Sequence, residues 1–168
     1  IKCYNRENFL TLFVVKIMIK SFLNKLKINK TWINLCVLGA WVAGVCLLLH
    51  LKQDPLRDEI HAWLIAVRCP LWQLFALVRW EGHFFLWYLL VRWASKVGVF
   101  PYVLYTLNFI CCFTGVCLIW RKAPFSSIIK QIVIFSFSLF FMYPTYARPY
   151  GLAFLFLTGL AVVSFLCF

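Results

Sequence analysis

The chain has 168 residues, of which 64% are hydrophobic, 20% aromatic and only 13% charged, with a formal net charge of +12 and a mean hydropathy of +0.89. Such a composition lies far outside the soluble globular range and indicates a multispan membrane protein. It excludes a nucleic-acid partner despite the basic balance, because the lysines and arginines are not interleaved with a soluble fold that would present them.

A helix rising 1.5 Å per residue needs runs of about 20 apolar residues to cross a hydrocarbon core of about 30 Å. Residues 1–31 form a basic segment, in which Met18 opens a lysine-rich stretch before the first span, 32–51. A cleaved signal peptide is the alternative reading of that span, but no small-residue cleavage site follows it. Residues 52–99 form a long loop, followed by a span over 100–120, a short link over 121–126 and a third span over 127–143. A link over 144–150 leads to a fourth span, 151–168, which is still apolar at Phe168. With Ile1 at one end and an unfinished span at the other, the expectation is the N-terminal part of a longer protein. The fold expected is an all-α membrane protein with about four transmembrane helices and two to three interfacial amphipathic helices in the first outer loop.

Lys20, Lys25, Lys27 and Lys30 precede the first span, and Arg121 and Lys122 lie between the second and third, with Lys130 in the first turn of the third. The positive-inside rule makes both clusters cytoplasmic and so puts 52–99 and 144–150 together on the outer side. Arg57, Arg68, Arg79, Arg92 and Lys96 make the outer loop basic too, but a loop of that length still translocates. Of the eight cysteines six fall in spans as ordinary small hydrophobes, and no pattern of paired CxxC motifs points to structural zinc.

Within the outer loop the period is helical. Ile60, Trp63, Leu64 and Val67 fall in a stripe about 100° wide, with Asp58, His61 and Arg68 pointing the other way, which predicts a helix lying flat on the bilayer. Pro70 suits the first turn of a second short helix over 71–79. A third segment, 83–97, gathers Tyr88, Arg92, Ser95 and Lys96 on one side. Each cation would cost about 2.5–3.5 kcal/mol inside hydrocarbon, so this segment is also expected at the interface.

Three of the five acidic residues and two of the three histidines sit between Arg57 and Phe85. The pair Asp58-Glu59 after the first span, the stretch EGHFFLWYLL from Glu81 and the stretch YARPYGLAFL from Tyr146 occur in that order. On these motifs, over about 32–168, the chain resembles the polytopic GT-C glycosyltransferases of the protein mannosyltransferase and aminoarabinose transferase type. The family often follows the histidine with prolines, where this chain has Phe84 and Phe85. The resemblance implies a multi-pass protein of a bacterial inner (cytoplasmic) membrane. It also implies a lipid-linked sugar donor, a polyprenyl phosphate, among membrane lipids, and an acceptor hydroxyl that the sequence does not identify. No cofactor is implied with certainty. Some members use a further acidic residue near the third span for a divalent metal, and this chain has no Asp or Glu after Glu81.

Moving a sugar from a lipid phosphate to a hydroxyl requires a base for the acceptor's proton and donors for the departing phosphate. Asp58, Glu59 and Glu81 are the candidates for catalysis, with Asp58 as the base and Glu81 shaping the same pocket. His83, Arg148 and Arg92 are candidates to meet phosphate, and His61, Tyr146 and Tyr150 to line the substrate site. Each has a plainer reading: Asp58 as a helix N-cap, Glu81 as a solvated loop residue, His61 as a headgroup contact, and Arg148 as an anchor among interfacial tyrosines. The alternative function is a transporter or assembly subunit whose outer loop docks a partner. Transporters place ionisable residues near the midplane of their spans, and these spans have none.

Overall fold

A computed structural model describes residues 30–52, 54–81 and 84–167. Almost all of the basic segment expected over 1–31 lies outside them. The chain divides into two units, residues 1–39 and 40–168. The described residues of the first are helical.

The described residues are mostly helical and contain no strand. Helix α1 runs Lys30–Leu51, α2 Arg57–Arg68, α3 Leu71–Glu81, α4 Phe85–Ala94 and α5 Tyr102–Lys122. Helix α6 covers Ser127–Ile134 and is followed by a π-helical segment, Phe137–Met142, the single turn α7, Tyr143–Thr145, and finally α8, Tyr150–Cys167. Trp32–Leu51 and Tyr102–Lys122 are long and apolar enough to cross a membrane. A third span results if α6 and Phe137–Thr145, bent by 52° to one another, count as one. This is consistent with an integral membrane protein, with two or three spans rather than an established four. Helix α8, at 18 residues, rises only about 27 Å.

The bend in the third expected span has a local cause. Ser136 adopts φ −60° and ψ 154°, and its hydroxyl accepts from the Leu139 amide at 3.4 Å. Serine thus acts as an N-cap in the middle of an apolar run, offering the backbone a partner other than the preceding turn. Carbonyls freed at membrane depth need a substitute donor. Trp41 on α1 supplies one, its indole Nε1 donating to the Ile134 carbonyl at 3.0 Å. Trp41 also packs against Phe109 and Phe113 of α5, each with ring centroids 6.1 Å away. It is therefore a core residue, not an interfacial one.

Helices α5 and α8 pack along a seam of small residues, as membrane helices do when close contact must supply the attraction that water supplies elsewhere. Asn108, Cys111, Cys112 and Gly115 of α5 are buried along it. A Cβ on Gly115 would stand 2.4 Å from Phe154 Cε1 of α8. Gly115→Val is expected to lower stability by about 1–3 kcal/mol through overpacking, measured by thermal unfolding in detergent. Phe154→Leu in the same chain should recover part of the loss. Unfolding of Gly115→Val at the parental temperature would show that the helices part without cost.

The loop helices form a further packed layer. Ala62, Ala66, Leu74, Val78, Trp87, Tyr88 and Val91 share a core with Leu104 and Ala147. The face that α2 buries is Glu59, Ala62, Ile65 and Ala66; of the apolar stripe, Ile60, Leu64 and Val67 are exposed, while Trp63 is half-buried against the core. Ala62, one turn on from Asp58, leaves no room for a substrate there, because its methyl is buried in the core, where small side chains allow close approach. Helix α3 begins at Leu71 after Pro70, as predicted, and runs on to Glu81. Helix α4 has 10 residues and at about 15 Å cannot span. Tyr88 does not join a polar side with Arg92 and Lys96. It is buried, and Arg92 turns back to donate to the Cys69 carbonyl.

Candidate functional site

Where α1 ends, α5 begins and the 144–150 link passes, two ion pairs stand side by side. Glu59 lies in the first turn of α2, and its Oε2 accepts from the Leu56 amide at 2.9 Å. This is the carboxylate half of a capping box; Leu56 has no acceptor to offer in return. The side chain is 0% exposed. Oε2 also accepts from the Tyr105 hydroxyl at 3.1 Å, and Oε1 accepts from the Ala147 amide at 2.7 Å. Lys52 Nζ donates to both oxygens, at 2.7 and 2.8 Å.

A buried charge survives only when paired and hydrogen-bonded on every side, and both partners meet that condition. The third donor of Lys52 goes to the Thr145 carbonyl at 2.9 Å. Its ammonium stands 4.7 Å from the Tyr105 ring centroid and 5.4 Å from that of Tyr146, distances at which the ring faces add cation–π attraction. Glu59 and Lys52 thereby tie four pieces of chain together: the end of α1, the start of α2, the first turn of α5 and the 144–150 link.

Asp58 is the opposite case. Its carboxylate is 62% exposed and pairs with the Arg148 guanidinium. The link that carries Arg148 is held from below by Asn108 of α5. The Nδ2 group of Asn108 donates to the carbonyls of Tyr143 at 2.7 Å, Pro144 at 3.2 Å and Tyr146 at 3.2 Å. Its Oδ1 points toward Gly151, where a Cβ would lie 2.4 Å away.

Two cavities flank the buried pair, and Lys52 lines both. The larger, about 530 Å³, lies between the end of α1 and the start of α5, with His50, Tyr102, Tyr105, Thr106 and Phe109 on its walls. The smaller, about 330 Å³, is lined by Asp54, Leu56, Phe141, Thr145 and Tyr146 among others. Asp58 lines neither. Among the described residues no group of three or more His, Cys, Asp and Glu side chains comes together to hold a metal.

Of the residues singled out in the sequence, Asp58, Glu59, Tyr146 and Arg148 meet here. Tyr150 is not in the cluster; it stacks on Tyr143 with centroids 6.0 Å apart. His61 is exposed on α2 and has an interaction within the chain. Glu81 closes α3, but its side chain is not described, and His83 lies outside the described residues. Lys52, Tyr105 and Asn108 were not singled out in the sequence. A lone lysine just beyond an apolar run and the only asparagine of a span were the available signals.

Compared with protein-family models, curated proteins and solved structures, the chain matches none. The described residues define a mostly helical fold, consistent with an integral membrane protein, in which a buried Lys–Glu pair stands beside an Asp–Arg pair whose carboxylate is exposed.

Proposed function

We propose that the chain carries the first outer loop of a GT-C-type membrane glycosyltransferase, moving a sugar from a polyprenyl phosphate to an acceptor hydroxyl. The observation that supports this reading is the meeting of two motifs far apart in sequence. Asp58-Glu59 and Tyr146-Ala147-Arg148 are joined through the Asp58–Arg148 pair and the Ala147 amide on Glu59. In the reaction the bond from the sugar's anomeric carbon to the phosphate oxygen breaks, and its electrons leave with the phosphate. A bond from the same carbon to the acceptor oxygen forms, and the acceptor's proton passes to Asp58. Arg148 pairs with the Asp58 carboxylate, and its guanidinium is the kind of donor that suits a departing phosphate. Glu59 holds the link that carries Arg148. The setting that goes with this reading is a bacterial inner membrane with the site on its outer face.

The test is release of polyprenyl phosphate from polyprenyl-phosphate mannose or polyprenyl-phosphate aminoarabinose by the protein in proteoliposomes. Asp58→Asn should lower release by about 10² or more while stability changes by about 1 kcal/mol or less, since the Asp58 carboxylate is itself 62% exposed. If neither donor is consumed, or if the asparagine variant releases as much as the parent, the Asp58–Arg148 pair is a structural tie. The second reading, an outer loop that docks a partner, then stands; it is favoured by the fact that both acids are already paired within the chain.

A further inference from the structure

The two cavities that flank the Lys52–Glu59 pair differ in charge. The larger has no carboxylate on its walls. The smaller, about 330 Å³, has Asp54 together with Leu48, Leu51, Leu56 and Phe141, and its volume is at the small end of the range for small-molecule sites. Asp54 has no part in the proposed transfer. Its side chain is exposed, and among the described residues it has no ion-pair partner.

The charge on these walls decides the ligand. Lys52 lines the smaller cavity too, but all three hydrogens of its ammonium are engaged, two by Glu59 and one by the Thr145 carbonyl. It has no donor left for an anion, and its charge is offset by the Glu59 oxygen 2.7 Å away. The Asp54 carboxylate is thus the uncompensated charge of the cavity, and its sign selects a cation. A metal ion is a poor fit, since no further His, Cys, Asp or Glu side chains gather there to hold one. An ammonium fits better. It has three hydrogens to place, and the lining residues carry the Asp54 carboxylate, the Tyr146 hydroxyl and the Thr145 hydroxyl oxygen, whose own hydrogen goes to the Phe141 carbonyl. The leucines and the Phe141 ring offer the rest of such a ligand only apolar contact, which calls for an alkyl stem.

We propose that this cavity is a binding site for a primary alkylammonium, with Asp54 on the ammonium and Leu48, Leu51 and Phe141 around the stem. The site needs no step of the sugar transfer and stands whether or not that reading holds.

Equilibrium dialysis of the full chain in phosphatidylcholine nanodiscs against radiolabelled hexylamine at neutral pH tests it. The parent should bind the amine saturably, above the uptake of protein-free nanodiscs, and Asp54→Asn should weaken binding by about tenfold, the factor for one charge-assisted hydrogen bond. Hexyltrimethylammonium, with the same charge and stem but no N–H, and hexanol, with the stem but no charge, should each compete about tenfold less well than unlabelled hexylamine. Binding to Asp54→Asn equal to the parent's, or competition by hexanol equal to that by hexylamine, overturns the proposal and leaves an apolar pocket beside a solvated acid. Equal competition by the trimethyl compound overturns the hydrogen-bonded ammonium and leaves attraction by charge alone. Replacing half of the phosphatidylcholine by phosphatidylethanolamine separates two sources of the same chemistry. Label displaced from the parent assigns the site to a lipid headgroup amine, and label kept assigns it to a free amine. No polyprenyl phosphate enters these measurements, so their failure and that of the transfer reading are told apart.

Discussion

Glu59→Ala is expected to destabilise the folded protein by about 3–5 kcal/mol, the cost of leaving one member of a buried ion pair without the other. The loss has several parts. Lys52 Nζ keeps the Thr145 carbonyl but loses both carboxylate oxygens, and the Leu56 amide, the Tyr105 hydroxyl and the Ala147 amide lose their acceptor. Lys52→Met should cost a comparable amount, because it leaves Glu59 charged in a site from which water is excluded. The double variant Lys52→Met, Glu59→Leu should be more stable than the sum of the two losses predicts, since apolar replacement of a whole buried pair is often close to neutral. Recovery will be incomplete, because three donors remain orphaned. Reversible denaturation in detergent, followed by tryptophan emission, measures all three variants. Single losses below about 1 kcal/mol, the scale of an exposed pair, would mean that water reaches Glu59.

The neighbouring Asp58 responds differently for a reason that composition alone hides. Adjacent carboxylates in one helical turn point about 100° apart, so one is turned into the core and the other toward the Arg148 guanidinium. An Asp-Glu dipeptide therefore announces that one acid is structural and one available, but not which. Sequence reasoning places weight on Asp58 as cap and base together. In the fold the capping is done by Glu59, which reaches back to the Leu56 amide, and Asp58 is left to Arg148.

Much of the architecture was legible because it rests on length and hydropathy. The first two spans follow from uninterrupted apolar runs, and Pro70 marks the start of α3 as proline at a helix entrance should. What was not legible depends on context that a periodicity does not contain. The stripe Ile60, Leu64 and Val67 has the spacing of a packed face, yet the side chains that α2 buries are Glu59, Ala62, Ile65 and Ala66, because a periodicity shows which residues share a side and not which side meets protein. Ser136 sits in a run apolar enough to read as one continuous span, and the fold breaks there because a serine hydroxyl and the Trp41 indole together satisfy the interrupted backbone. Lys52 and Glu59 are seven residues apart across a non-helical connection, so no helical spacing rule pairs them. The convergence of 58–59 with 146–148 was expected only in the weak sense that both stretches were assigned to one side of the membrane.

Asn108→Leu should destabilise the protein by about 1–3 kcal/mol for each carbonyl that finds no substitute donor. Leucine matches the shape of asparagine closely, so the loss isolates hydrogen bonding from packing. The carbonyls of Tyr143, Pro144 and Tyr146 share the two hydrogens of one amide group, and they belong to a stretch where helix gives way to the 144–150 link. Pro144 has no amide hydrogen of its own, so this turn cannot tie itself by continuing a helix. Asn108→Asp should be worse than Asn108→Leu, because it keeps the size but sets a carboxylate against carbonyl oxygens with no donor between them. The consequence reaches the site, since Ala147 and Arg148 follow directly: release of polyprenyl phosphate should fall in the leucine variant even at temperatures where it remains folded. Unfolding of Asn108→Leu within about 0.5 kcal/mol of the parent, the range of an ordinary surface substitution, would show that the link is held by Glu59 alone and that α5 contributes only its surface.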